Sequence, residues 1–103
     1  MPRIVFKGIQ IKELKEISKE LVNELSEIVN TPRDNFILEF SQNTYIFDGK
    51  EIETYPLVEV NWFRRSREIE QSVYRILENK IKGLGYEEAE VYFVELKEES
   101  YYY

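Results

Sequence analysis

PRIVFK at residues 2–7 and PLVEVNWF at residues 56–63 are two short segments that each begin with proline and continue mainly with β-branched or aromatic residues. This composition is typical of β-strands, and proline is tolerated at the first position of a strand, where its missing N–H removes no ladder hydrogen bond. We therefore predict strands at residues 3–7 and 57–63, each at the start of a similar unit.

An amphipathic helix is predicted after each of these strands. Apolar residues recur at steps of three and four between Ile11 and Val29, and the same spacing returns between Ser66 and Gly83. Asn30 can end the first helix in the left-handed conformation, and Ser66 can cap the start of the second. The positions expected to be buried are Leu14, Ile17, Leu21, Leu25 and Ile28 in the first helix and Ile69, Val73, Ile76, Leu77, Ile81 and Leu84 in the second.

The remaining strands complete a duplicated unit. We predict a long strand at residues 35–47, a tight turn at Asp48-Gly49 leading into residues 50–53, and a last strand at residues 91–96. The chain is then a single domain, 1–103, with pseudo-repeats at 2–41 and 56–97 joined by a hairpin at 42–55. Right-handed crossovers place both helices on one face of a shared sheet. The predicted fold class is α+β: a duplicated β-α-β unit with a four-stranded mixed sheet, two helices on one face and a small hairpin.

Strand alternation predicts what each face of the sheet carries. A shift of 56 residues aligns the two helices and places Glu39 on Glu95, and this alignment sets the phase of the last strand. The face toward the helices should carry Ile4, Phe6, Phe36, Leu38, Phe40, Val58, Val60, Trp62, Tyr92, Val94 and Leu96. The other face should mix Val5, Ile37, Leu57, Phe63, Val91 and Phe93 with Arg3, Lys7, Glu39, Glu59 and Glu95. Such a face is too apolar for water and too charged for a core, which favours a subunit contact.

The composition excludes several functional classes. The 103 residues include no histidine and no cysteine, so the chain lacks the ligands of most zinc sites and the residues of a serine-histidine-aspartate triad. We expect no metal and no cofactor. The net charge of -6 repels phosphate backbones, so we expect no nucleic-acid partner. The alternative is local binding of nucleic acid by the arginines that follow Trp62-Phe63. Without a run of about 18 apolar residues or a signal peptide, we expect no membrane partner and a cytoplasmic location.

Pro2 is the candidate for chemistry. If Met1 is removed, Pro2 carries a free secondary amine, and an α-amino group has a reference pKa of about 7.7 to 8.0. Burial in an apolar pocket beside cations lowers that pKa, because it disfavours the charged form. The amine would then be a general base matched to neutral pH. The alternative is that Pro2 only begins a strand.

The arrangement resembles the tautomerase superfamily, which includes 4-oxalocrotonate tautomerase and macrophage migration inhibitory factor. The likeness rests on the Met-Pro start, the two β-α-β units, the stretch NTPRDNF at 30–36, and YIFDG at 45–49 followed by Tyr55-Pro56. The chain is most similar to an uncharacterised bacterial branch of this superfamily. The resemblance implies a homotrimer whose N-terminal proline moves protons between carbon and oxygen in keto-enol substrates, in pockets between subunits.

Only some functional positions match those of the superfamily. Pro2 matches the catalytic proline, and Tyr92 matches a pocket tyrosine of the cytokine-like branch. Thr31 stands where that branch has a substrate-facing lysine. Ile9 and Ile37 stand roughly where the oxalocrotonate branch has two carboxylate-binding arginines, which argues against a dicarboxylate substrate.

Arg64, Arg65 and Arg67 lie where the resemblance places the wall of the pocket. Arg64 or Arg65 could hold the carboxylate of a small 2-keto acid or its enol and lower the pKa of Pro2. Alternatively, the arginines form a solvated helix start. Two functional hypotheses follow from these residues. One is a cofactor-independent tautomerase that uses Pro2, and the other is a non-catalytic homotrimer that serves as a binding or interaction protein.

Overall fold

The computed structural model describes residues 2–103; Met1, on whose removal the proline mechanism depends, lies outside the described residues. The elements in chain order are β1 (Arg3–Lys7), α1 (Ile11–Val29), β2 (Ile37–Phe40), β3 (Tyr45–Phe47), β4 (Lys50–Ile52), β5 (Leu57–Phe63), α2 (Arg67–Lys82) and β6 (Glu90–Leu96). Short 3-10 turns at Arg33–Asn35 and Glu98–Ser100 precede β2 and follow β6. Among residues 2–103, neither helix has the length and apolar character needed to cross a membrane.

The main sheet has four strands in the order β2-β1-β5-β6. β1 runs parallel to β2, β5 runs parallel to β6, and the two pairs meet where β1 and β5 lie antiparallel. β3 and β4 form a separate hairpin. The predicted fold class, with a mixed four-stranded sheet, two helices and a small hairpin, is therefore confirmed.

Both units begin with a buried proline. The side chains of Pro2 and Pro56 are fully buried. The carbonyl oxygen of Pro2 accepts a hydrogen bond from the N–H of Ile37 at 3.0 Å, and that of Pro56 accepts one from Glu90 at 3.0 Å. Each proline thus begins a parallel strand pair through its carbonyl. The pair needs no N–H from the proline at this position, so the missing donor is tolerated.

Both predicted caps are present, at Asn30 and Ser66, and α1 also begins with a cap at Gln10, which the sequence analysis did not predict. The backbone N–H of Gln10 donates to the Glu13 carboxylate at 2.9 Å at the start of α1, and Asn30 ends that helix with a left-handed φ of 56°. The Ser66 hydroxyl accepts from the N–H of Ile69 at 3.3 Å at the start of α2. These side chains satisfy backbone groups that have no partner within the helix.

The core lies between the helices and the sheet, and Leu21 and Leu77 are both 0% exposed within it. One predicted core position is wrong, because Ile28 is 41% exposed whereas Val29 is buried. Ile28 lies three residues after Leu25 and Val29 lies four after it, so both fit a helical spacing, and it is Val29 that is buried. The stripe of α1 therefore continues to the last residue of the helix.

The predicted long strand at residues 35–47 is two strands. β2 ends at Phe40, β3 begins at Tyr45, and the polar residues 41–44 lie between them without strand structure. The hairpin turn itself is confirmed. Asp48 and Gly49 have positive φ angles of 55° and 75°, as a two-residue turn that follows the twist of the strands requires.

The predicted phase of β6 is also wrong. Val91 and Phe93 pack against the core, whereas Tyr92 pairs with Glu59 on the other face and Glu95 pairs with Trp62 on the helix side. The face away from the helices, called the mixed face below, carries Arg3, Val5, Lys7, Ile37, Glu39, Leu57, Glu59, Asn61, Phe63, Tyr92, Val94 and Leu96. The strand register thus requires an odd shift between β2 and β6, so Glu39 and Glu95 are not equivalent.

Candidate functional site

Three strand ends meet at one end of the sheet. Arg3 pairs with Asn61 in the antiparallel ladder, so Pro2 lies one residue beyond this pair, at the level of Trp62. Trp62 in turn pairs with Glu95 on β6. The start of β1 and the ends of β5 and β6 therefore lie side by side, and this is the end at which the arginines follow β5.

A cavity of about 260 Å³ opens at this end of the sheet and is called the arginine cavity below. It is lined by Trp62, Arg64, Arg65, Arg67, Glu70, Phe93 and Glu95. The structure therefore brings Arg64, Arg65 and Arg67 together at one concave site.

Arg65 is held in place by its own strand and by an aromatic ring. Its Nη1 donates to the carbonyl oxygen of Phe63 at 2.6 Å, and its guanidinium carbon lies 5.4 Å from the centroid of the Trp62 ring. A guanidinium over an indole face is attracted by the ring quadrupole. Because an arginine has five N–H donors, Arg65 keeps donors for a ligand in this position.

Arg64 is held much less tightly. Its Nη1 lies 3.8 Å from Oε2 of Glu95, and the two side chains are 80% and 53% exposed. Such an exposed ion pair contributes little stability. The aromatic wall beside it is more rigid, since the rings of Trp62 and Phe93 stack with centroids 5.1 Å apart.

Pro2 is not among the residues that line the arginine cavity. Its side chain is fully buried at the start of β1, at the same end of the sheet. The two groups predicted to act together, Pro2 and the arginines, are therefore neighbours in the fold without sharing this cavity within one chain.

Tyr92 lies on the mixed face, away from the arginines. Its hydroxyl donates to one oxygen of the Glu59 carboxylate, and Asn61 Nδ2 donates to the other at 3.0 Å. The hydrogen bond from Tyr92 is the main cause that lowers the pKa of Glu59, with Asn61 second, and the same bond raises the pKa of Tyr92. Within one chain Tyr92 thus binds a carboxylate of its own sheet.

Thr31 acts as part of the end of α1. Its N–H donates to the carbonyl of Ser26 at 3.1 Å, and its hydroxyl donates to the carbonyl of Val29 at 3.4 Å. Both contacts satisfy carbonyls at the helix end. The structure therefore gives Thr31 a local structural role and does not bring it into the arginine cavity.

The opposite end of the sheet is acidic and aromatic. Pro56 lines a cavity of about 310 Å³ there, together with Tyr55, Gly85, Tyr86, Glu87 and Glu88. The Tyr86 hydroxyl donates to the Glu13 carboxylate at 2.5 Å, and burial, followed by this hydrogen bond, raises the pKa of Tyr86 to about 12. Within residues 2–103, no three or more acidic side chains cluster in a way that could hold a metal ion.

Phe93 and Glu95 are site residues that the sequence analysis assigned to the other face. The signal was present in β5, whose strict alternation places Val58, Val60 and Trp62 on the helix side. Pairing β6 with β5 by its ends, rather than with β2 by the 56-residue shift, would have placed Phe93 and Glu95 beside Trp62.

Comparisons with known proteins give a family and a fold. A protein family described as Domain of unknown function (DUF1904) matches residues 1–103. A search of curated proteins found no match to this chain. The crystal structure of a DUF1904 domain from Sebaldella termitidis is 29% identical, with a TM-score of 0.93, and the match covers 100% of this chain and 95% of that one.

Two more distant structures represent the two branches named in the sequence analysis. A macrophage migration inhibitory factor-like protein from Entamoeba histolytica is 17% identical with a TM-score of 0.75, and the match covers 99% of this chain and 94% of that one. A fused 4-OT, described as an asymmetric trimer, is 10% identical with a TM-score of 0.76, covering 91% and 85%. At these identities the likeness concerns the fold alone, and that fold is the one predicted.

Proposed function

Because the chain belongs to the DUF1904 family and has the tautomerase fold, we propose that it is a tautomerase-like protein. In the form that begins at Pro2, it moves a proton between carbon and oxygen in a small 2-keto acid or its enol. The observation that carries this proposal is the position of Pro2, which begins β1 at the same end of the sheet as the arginine cavity.

The chemistry needs one base and one cationic clamp. The Pro2 amine accepts the proton of the enol hydroxyl, the O–H electron pair becomes the carbonyl bond, and the C=C electron pair takes the proton back from the prolinium at carbon. Arg65, with donors left over from its bond to Phe63, or the exposed Arg64 holds the substrate carboxylate. No external oxidant, reductant or cofactor enters this balance.

The arginines also lower the pKa of the Pro2 amine. A buried secondary amine near guanidinium groups loses stability in its charged form, so its pKa falls below the reference of about 7.7 to 8.0. Pro2 lies one strand from Trp62 and two strands from Glu95. At the usual strand spacing, the distance from Pro2 to Glu95, at the far wall of the cavity, is about 10 Å. A substrate with a carboxylate and a reacting carbon several bonds away could span this distance.

We further propose a homotrimer in which mixed faces contact one another. This face combines apolar residues with an ion pair, Arg3 Nη1 to Glu39 Oε1 at 3.3 Å, and it borders a depression of about 440 Å³. The described trimeric state of the fused 4-OT relative supports this assembly. Tyr92 lies on this face, so an adjacent subunit could bring it near a neighbour's site.

The test compares three proteins made to the same purity. Ketonisation of enol-phenylpyruvate is followed by absorbance with protein proved by mass to begin at Pro2, with a form that keeps Met1, and with Pro2→Ala. We expect the Met1 form to lose the activity, since its acylated nitrogen is not basic, and Pro2→Ala to keep only part of it. Pro56→Ala is the matched control, because Pro56 is equally buried but lies inside the chain.

The alternative is a non-catalytic trimer that binds its ligand through the same fold. The burial of Pro2 away from the lining of the arginine cavity favours this reading. Equal rates for the processed and Met1-bearing forms would exclude the proline mechanism. A trimer that begins at Pro2 and gives no rate above buffer with 2-keto acids would establish the alternative.

A further inference from the structure

The walls of the arginine cavity suggest which charge its ligand carries. Trp62 and Phe93 stack at 5.1 Å with an interplanar angle of 30°, forming an apolar aromatic wall, and Arg64 and Arg65 line the same cavity. A planar apolar body against the rings, with an anionic group toward the arginines, matches this arrangement.

The two arginines differ in what they can offer to an anion. Arg65 is fixed by the Phe63 carbonyl at 2.6 Å and by the Trp62 ring. Within residues 2–103, the one ion pair of Arg64 is with Glu95, at 3.8 Å and with both side chains largely exposed. Because an ion pair of this kind is weak, an incoming carboxylate can displace Glu95 from Arg64.

Displacement leaves the Glu95 carboxylate inside the same cavity as the ligand. Three guanidinium groups and two carboxylates, those of Glu70 and Glu95, line the cavity, so one ligand carboxylate balances its charge and a second one exceeds it. Like charges held close together are destabilising, and such repulsion is a common basis of specificity. The sequence alignment had placed Glu95 on the other face, where it could have no such effect.

We propose that Glu95 is a specificity-determining residue that makes the arginine cavity select aromatic monocarboxylates over dicarboxylates. The inference rests on the proposed function only in placing the substrate carboxylate in this cavity. It needs no proton transfer, so binding measurements can test it independently of turnover.

The chain offers a direct probe, since Trp62 is its one tryptophan and lines the cavity. Quenching of Trp62 fluorescence is titrated with phenylacetate, which has one carboxylate, and with 1,4-phenylenediacetate, which has two on the same ring. We expect wild-type protein to bind phenylacetate more tightly. Glu95→Gln should tighten phenylacetate binding by roughly two- to fivefold, the effect of an exposed charge pair, and tighten phenylenediacetate binding by more.

Glu16→Gln is the control, because it makes the same change in net charge at an exposed position on α1, outside the cavity. The proposal is overturned if Glu95→Gln leaves the ratio of the two affinities unchanged, if Glu16→Gln changes it equally, or if phenylacetate does not quench Trp62 in folded protein. If Pro2→Ala loses turnover but keeps the ratio of the two affinities, the result bears on the proline mechanism and leaves the role of Glu95 standing. Selectivity that is absent while enol-phenylpyruvate is still turned over refutes only the role of Glu95.

Discussion

Tyr92 and Glu59 form a polar pair in the middle of an otherwise half-buried sheet face. The Glu59 carboxylate accepts from Tyr92 on one oxygen and from Asn61 on the other, so its charged form is stabilised by two donors. That is why its pKa is lowered. A group whose pKa is lower in the folded state contributes stability above its unfolded pKa, and the contribution is lost as the pH falls through the folded value.

Replacing Tyr92 with Phe should therefore destabilise the protein in a pH-dependent way. At pH 7 we expect a loss of about 0.5 to 1 kcal/mol in the free energy of unfolding, a modest value because Tyr92 is 40% exposed. The loss should shrink below the ordinary glutamate pKa of 4.5, as Glu59 becomes protonated. Urea unfolding at pH 7 and pH 3 measures it, with the 89% exposed Tyr102→Phe as control. An equal cost at both pH values would contradict the assignment.

The connection from β1 to α1 depends on one glycine. Gly8 has a φ of +80°, and a Cβ built on it would lie 2.7 Å from the Tyr55 carbonyl oxygen and 3.0 Å from the Pro56 Cα. Both contacts are with backbone that cannot move aside, at the point where the second unit begins. Gly49, in the hairpin turn, has a similar φ of +75° but nothing within 4 Å of such a Cβ.

Because, of these two glycines, only Gly8 has backbone atoms close to the position of an added Cβ, alanine substitutions at Gly8 and Gly49 form a matched pair. Gly49→Ala should cost about 1 to 2 kcal/mol of unfolding free energy from the left-handed backbone alone. Gly8→Ala should cost more, since the clash with the Tyr55 carbonyl adds to the same backbone strain. Denaturant unfolding of both variants measures the difference. Similar costs for the two would mean that the junction between β1 and β5 is looser than the structure indicates.

The elements that the sequence predicted well have clear boundary residues. β1 and β5 follow Pro2 and Pro56, α1 ends before Asn30, and all three have the predicted bounds. The phase of β6 has no such local signal, since Val91, Tyr92, Phe93 and Val94 are all apolar or aromatic and fit either face. The break between β2 and β3 carries no glycine or proline, and its one local signal is the polar run at residues 41–44.

The candidate site follows the same division. Arg64 and Arg65 could be predicted because they directly follow a well-defined strand, and both do line the cavity. Phe93 and Glu95 depend in addition on how β6 pairs with a strand about 30 residues earlier in the chain, and the alternation of β5 places them only once that pairing is known. Register between distant strands is a tertiary property that local periodicity does not determine.

At the scale of the whole molecule, the mixed face predicts association. We expect the protein to sediment at about three times the 12.5 kDa of one chain. Glu39→Lys combined with Glu59→Lys should weaken this assembly, because Arg3 loses its partner and positive charge accumulates on the face. Glu70→Lys combined with Glu95→Lys makes the same change in net charge within the arginine cavity, away from the mixed face.

Analytical ultracentrifugation over a range of concentrations distinguishes these variants. The first double variant should shift toward the mass of one chain, while the second should remain assembled. A wild-type protein that sediments as a single chain, or a second variant that dissociates as readily as the first, would refute contact through the mixed face.

The burial of a proline at the start of both units has a chemical consequence. Pro56 is acylated by Tyr55, whereas removal of Met1 would leave Pro2 with a free amine. A circular permutant opened before Pro56 would present the other, beside Glu87 and Glu88. Those carboxylates stabilise an ammonium form, so that nitrogen would stay protonated and inert at neutral pH. The surrounding charge, rather than the proline ring, is what would restrict chemistry to one pole of a nearly symmetric molecule.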